Sequence, residues 1–178
     1  MANTLLDAQT DISNDTLREI VSASAFIGEQ PVAATSPFLG SNYGYTSGGS
    51  IGGGAQNVIE KSSFTSDANA TDVGNLTVGR YNSSGQSSAT HGYTSGGAGL
   101  SDVIDKFTFP SDANATDVGD LTSARQRTTG QSSTTHGYAS GGGPSSNIIE
   151  KFPFSTDGNA TDVGDLTQSK YYIAGQQY

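Results

Sequence analysis

The chain has 178 residues, with 17 acidic side chains against 8 Lys/Arg and a net charge of −9. It carries no Cys, no Trp and one Met but 24 Gly, which excludes a disulfide framework or thiolate site and leaves closely packed backbone to supply much of any core. Scattered bases in an acidic chain do not concentrate charge for phosphates, so no nucleic-acid partner is expected. No apolar run reaches the roughly 18 residues of a membrane span, and "MANTLLDAQTD" lacks the basic and apolar regions of a secretory signal.

Residues 1–38 read as an arm. Thr16 and Glu19 have capping-box spacing, and Leu17, Ile20, Val21 and Ala25 form an apolar stripe at helical intervals. The spacing predicts a short helix from Thr16 to Phe26. A lone helix of this length is marginal in water, so its stripe must dock on something. Leu17, Ile20, Val21 and Phe26 are the candidate anchoring residues. Gly28, Pro31 and Pro37 then read as an extended connector.

Residues 39–178 are repetitive. "SDANATDVGNLTVGR" from Ser66 returns as "SDANATDVGDLTSAR" from Ser111 and as "TDGNATDVGDLTQSK" from Thr156. Asn69, Asn114 and Asn159 mark a period of 45, as do Ile59, Ile104 and Ile149, and Phe64, Phe109 and Phe154. Gly44, Gly92 and Gly137 are spaced 48 and 45. The three extra residues fall in the turn "SGGSIGGGAQN", where insertion is tolerated. A period near 45 without 3.6-residue periodicity predicts four short strands per unit and not a helical solenoid.

In the second unit those strands are "THGYTSGG", "VIDKFTF", "ATDVGDLT" and "RQRTTGQSS". Simple alternation of the second piece places Val103, Asp105, Phe107 and Phe109 on one face, with Ile104, Lys106 and Thr108 on the other. Apolar residues on both faces suit a strand sandwiched between neighbouring units.

The order of glycine pair, aliphatic-acidic-aromatic strand, turn and "DLTxxR" resembles a kelch repeat over about residues 40–178. The matching residues are Gly48–Gly49, Gly96–Gly97 and Gly141–Gly142; Phe64, Phe107 and Phe152; Leu76, Leu121 and Leu166; and Arg80, Arg125 and Lys170. Val73, Val118 and Val163 stand where that family usually has Trp. Wording such as "DGNATDVGDLT" is closer to divergent kelch-like repeats of large DNA viruses and marine phages, especially cyanophages. The resemblance implies an all-β fold of three four-stranded β-propeller blades behind an N-terminal arm. It further implies a non-enzymatic virion structural protein, a phage tail or capsid appendage made in the host cytoplasm. Its partners would be itself, other virion proteins and a host surface glycan, with no membrane and no cofactor.

Catalytic and metal motifs are weak. Asp112, Asn114, Thr116 and Asp120 have oxygen-ligand spacing at positions 1, 3, 5 and 9 of a loop. Yet glycine falls at position 8 and no Glu follows at 12, so Asx-turn chemistry is the expected role and no metal is assigned. The "NAT" sequons at Asn69, Asn114 and Asn159 read as turn residues for the same reason. His91 and His136 share a position that Tyr43 fills in the first unit, which indicates packing and not a catalytic base. An alternative reading is a free-standing propeller lectin using Tyr45, Tyr93 and Tyr138, although one recurring strand position suits a core role better.

The repeat starts and stops in mid-unit. "GSNYGYTSGG" has no "RxxxxGQSS" strand before it, and "GDLTQSKYYIAGQQY" runs into such a strand. Three blades are too few for a ring. The expectation is therefore strand exchange between two copies, a six-bladed homodimer in which Tyr171, Tyr172, Ile173 and Tyr178 cross from one protomer to the other.

Overall fold

The computed structural model describes residues 42–99 and 101–177. The helix expected over residues 16–26, with Leu17, Ile20, Val21 and Phe26, lies outside the described residues, as does Tyr178. The described residues are all-β. In chain order the strands are β1 (Tyr43–Ser47), β2 (Ser50–Ile51), β3 (Gly54–Ala55), β4 (Val58–Ser63), β5 (Thr71–Asn75), β6 (Ser84–Ser87) and β7 (His91–Gly97). There follow β8 (Ser101–Thr108), β9 (Thr116–Asp120), β10 (Thr129–Ser132), β11 (His136–Ser140), β12 (Ile148–Pro153) and β13 (Thr161–Asp165).

They form three antiparallel units and a hairpin. β6-β7-β8-β9 and β10-β11-β12-β13 are four-stranded sheets with neighbours in chain order, while the first unit is the three-stranded β1-β4-β5. The expectation of three four-stranded repeats is thus corrected: among the described residues the first unit has no counterpart of β6 or β10. The three inserted residues are not idle turn, because they let β2 and β3 pair as a small hairpin.

One register runs through all three units. Tyr45 faces Lys61, Tyr93 faces Lys106 and Tyr138 faces Lys151. Each unit also carries a bulge at the same place, between Ile59 and Glu60, Ile104 and Asp105, and Ile149 and Glu150. This bulge breaks the strict alternation expected of "VIDKFTF". Ile104 and Asp105 are consecutive, yet both are fully buried, because the extra residue of the partner strand rotates the chain locally.

Two features explain the glycines. The pairs Gly48–Gly49, Gly96–Gly97 and Gly141–Gly142 all have positive φ, between 65° and 134°, a region costly for residues with a Cβ. Gly92 and Gly137 lie directly against the rings of Phe107 and Phe152 on the neighbouring strand. That places Phe107 and Phe152 at one position, where the first unit has Ser62. Phe64, grouped with them above, belongs with Phe109 and Phe154.

The core lies between units, not inside them. Ile59 and Leu76 of the first unit pack with Phe107 and Ala115 of the second, with Tyr45, Val73 and Phe109 alongside. Tyr93, Ile104 and Leu121 of the second pack with Ala139, Phe152 and Ala160 of the third, joined by Val118 and Phe154. A single sheet of this kind has no apolar interior to close over, so each unit is stabilised by its neighbour.

Candidate functional site

The joints between units gather most of the buried charge. After β5, Leu76 is buried and its N–H donates to the Asn57 carbonyl at 2.6 Å. The chain then turns to Arg80, whose N–H donates to Gln56 O and whose carbonyl accepts from Gly49 N. With its backbone tied to its own unit, the Arg80 side chain reaches into the next. Its Nη2 donates to Asp105, and its Nη1 donates to Ser101 Oγ at 3.3 Å and Val103 O at 3.4 Å.

The second joint repeats this. Arg125 Nη2 donates to Glu150, and Nη1 donates to Ser146 Oγ at 2.8 Å and Gly141 O at 3.1 Å. The carboxylates take further donors from the preceding unit: Thr77 N and Oγ1 on Asp105, and Thr122 N on Glu150. All four charged side chains are almost completely buried. Burial pulls both guanidinium groups below their ordinary range, an effect that Asp105 opposes at Arg80 and Asp162 at Arg125.

The repeated "DANATDVGD" loop staples the outer rim of each joint. Asn114 Oδ1 accepts from Asn75 N and Asn159 Oδ1 accepts from Asp120 N, each at 3.0 Å. Ala115 N donates to Asn75 O and Ala160 N to Asp120 O. Lys61 meets Asp112 at 3.2 Å and Lys106 meets Asp157 at 2.5 Å. Within each loop an Asx turn forms, Gly119 N donating to Asp117 Oδ1 at 3.1 Å, with matching bonds at Gly74 and Gly164.

The weak metal set is not brought together. Asp112 and Asn114 face the preceding unit, while Thr116 and Asp120 lie on β9, where Asp120 N is bonded to the following unit. Burial, then Asp102 and Asp117, raises the Asp120 carboxyl from its ordinary value. Among the described residues no group of three or more acidic or histidine side chains could hold a metal ion.

His91 and His136 share one setting, each Nδ1 bonded to the hydroxyl of the preceding Thr90 or Thr135 at 2.8 and 2.9 Å. In the first unit Tyr43 instead receives the Lys61 ammonium over its ring at 4.5 Å. Two tyrosines of the lectin alternative pack into the clusters between units. Tyr93 is 3 % exposed and stacks on Phe154 at 4.8 Å, and Tyr45 stacks on Phe109 at the same distance. Tyr138 is half-buried. A shallow groove of about 280 Å³ does open beside Tyr43, Lys61, Asn69 and Asp112.

Beyond β13 the chain takes the path of a first strand that has no paired strand among the described residues. Tyr172 has φ +57°, as Asn82 and Arg127 have +58° and +62° two periods and one period earlier. Tyr172 N donates to Arg127 O at 3.3 Å, as Arg127 N donates to Asn82 O. The Arg127 guanidinium lies 4.8 Å from the Tyr172 ring and 5.9 Å from that of Tyr171. Ile173 touches Gly141, and Gly175 rests on Gly130 as Gly130 rests on Gly85.

Sequence reasoning missed the buried clasps. Their signal was present as acids at 60, 105 and 150 and bases at 80, 125 and 170, two series of one period, offset so that Arg80 and Arg125 each meet the acid 25 residues on. Comparison with protein-family models and with curated proteins finds no match for this chain.

Proposed function

We propose that this protein is a non-enzymatic structural component of a virion, a phage tail or capsid appendage built from kelch-like β-propeller blades. Its partners are a second copy of itself and other virion proteins, and residues 1–38 anchor it to the particle. One observation carries the reading: the buried charged side chains are spent in joining repeat to repeat, Arg80 to Asp105 and Arg125 to Glu150. An array so joined positions surfaces, which is what an appendage does. Two copies would supply six blades, inside the usual range of four to eight for a closed ring. Tyr171, Tyr172, Ile173 and Tyr178 would then cross to the first unit of the other copy.

The test is microscopy of purified particles labelled at this protein, together with a variant lacking residues 1–36. Label on the particle, and a truncated chain that stays folded and β-rich but no longer incorporates, supports the reading. A truncated chain that incorporates normally, or particles without label, overturns it. The groove beside Tyr43, Lys61, Asn69 and Asp112 favours a second reading, a glycan- or protein-binding propeller lectin. Glycan-array binding lost in Tyr43→Ala would support that one.

A further inference from the structure

We infer that the two end faces of the three-unit array are complementary and join a second copy of this chain head to tail, with Lys170 of one copy clasping Glu60 of the other. The inference rests on the homo-oligomer reading above and supplies its joint.

The argument is one of period. The ion pairs and the asparagine staples made across the first internal joint are remade 45 residues on across the second. Advancing each pair once more names a donor on the last unit and an acceptor on the first. The clasps Arg80–Asp105 and Arg125–Glu150 advance to Lys170 and the site of Glu60. Asp105 and Glu150 are buried under their arginines, whereas Glu60 is exposed and, among the described residues, takes only a 3.3 Å bond from Thr46 Oγ1 of its own sheet. Lys170 is exposed as well. The rim pairs Lys61–Asp112 and Lys106–Asp157 advance to Lys151 and Asp67. The staples of Asn75 by Asn114 and of Asp120 by Asn159 advance to Asp165 and Asn69.

Backbone shape agrees with charge. Gly74 lies so near the loop of the second unit that a Cβ on it would come within 2.5 Å of Ala113 O, and Gly119 is equally close to Gly158. Gly164, with the same extended positive φ of 152°, has nothing within 4 Å of that position. The seat it offers fits the Ala68 loop of another copy. Val163 beside it is 47 % exposed, where Val73 and Val118 pack in the internal clusters.

The preceding part of the same chain cannot supply the clasp at this register. No Lys or Arg lies between Arg18 and Lys61, so no base stands one period before Arg80. The inter-copy clasp also differs in kind from the internal ones. Lysine offers a compact, strongly hydrated charge in place of the guanidinium fork, so this joint is weaker than its two models and is where the assembly opens. A head-to-tail contact of this sort closes a ring when its rotation allows and otherwise continues as a filament.

The decisive experiment uses the full chain and two charge-reversed variants, Glu60→Lys and Lys170→Glu, in sedimentation velocity at low salt. Wild type should sediment as a closed dimer. Each variant alone places like charges in both joints and should sediment as a monomer, its dissociation constant raised at least tenfold. An equimolar mixture restores opposite charges at both joints, one native and one reversed, so a heterodimer should reappear. That recovery also proves the variants folded. If wild type is monomeric throughout, the homo-oligomer reading fails and this joint with it. If wild type and both variants assemble alike, or the mixture stays apart, the joint alone is overturned.

Discussion

Arg125 and Glu150 meet as an ion pair whose side chains are 2 % and 0 % exposed, and the pair links two units instead of folding back within one. Its worth is therefore measured by what happens when one partner is removed. An uncompensated charge left buried costs about 3–5 kcal/mol, whereas apolar replacement of both partners can be close to neutral. Glu150→Gln should lower unfolding stability by that amount in urea titration. The double variant Arg125→Met with Glu150→Leu should recover most of the loss. Lys106→Ala, at the exposed rim pair with Asp157, should cost no more than about 1 kcal/mol. Equal losses at the buried and rim pairs would refute the assignment of the clasp as the element that holds units together.

Two glycines without positive φ give opposite forecasts. A Cβ at Gly130 would run into the carbonyl of Gly85 on the neighbouring unit, while a Cβ at Gly158 meets nothing within 4 Å. Gly158→Ala only reproduces the alanine that the second unit carries at position 113. It should be neutral or stabilising by up to about 1 kcal/mol, through the unfolded chain. Gly130→Ala should destabilise by about 1–3 kcal/mol, the usual range for forced overpacking. Thermal melts of the two variants decide the matter.

Burial, with Lys106 adding to it and Asp157 opposing, holds the His91 imidazole below its ordinary pKa of 6.5. The unfolded chain thus binds the proton first. The stability that neutral His91 contributes is complete above pH 6.5 and is lost as pH falls from there toward the lower folded value. His91→Tyr, the residue that the first unit uses at this position, should flatten the fall in melting temperature between pH 7 and pH 5. An unchanged slope would place the acid sensitivity elsewhere.

The "DANATDVGD" loops spend their side chains on neighbouring units and on their own Asx turns. Melting temperature should accordingly be the same in EDTA and in millimolar Ca²⁺. A rise of several degrees with Ca²⁺, reversed by chelator, would mean that the native state binds the ion.

The loops also show how far the sequence could be read. Asx-turn chemistry is the role expected of Asp112, Asn114, Thr116 and Asp120, whereas the Asx turn of this loop is made by Asp117, whose Oδ1 accepts from Gly119 N. The same reading could not tell that Asn114, three residues earlier, bonds the backbone of Asn75, because nothing local distinguishes a turn-capping Asn from one facing a neighbour. Similarly, alternation placed Asp105 on one face of its strand and Ile104 on the other, and only the bulge explains why both are buried.

What the sequence by itself determined is the strand content, the glycine pairs and the three-stranded form of the first unit among the described residues. These follow from period, turn chemistry and the missing "GQSS" segment before Tyr43, all of which act over a few residues. The tertiary structure alone decided where the core lies and which charges meet. Arg80 and Asp105 are 25 residues apart and attract across any register that brings them together. They pair here because the core forms between sheets, so stacking one unit on the next removes both groups from water at once. In water that attraction is about 1 kcal/mol and screened, and it becomes strong only where the surrounding protein lowers the dielectric. Stacking creates that environment, and a linear string of residues does not contain it.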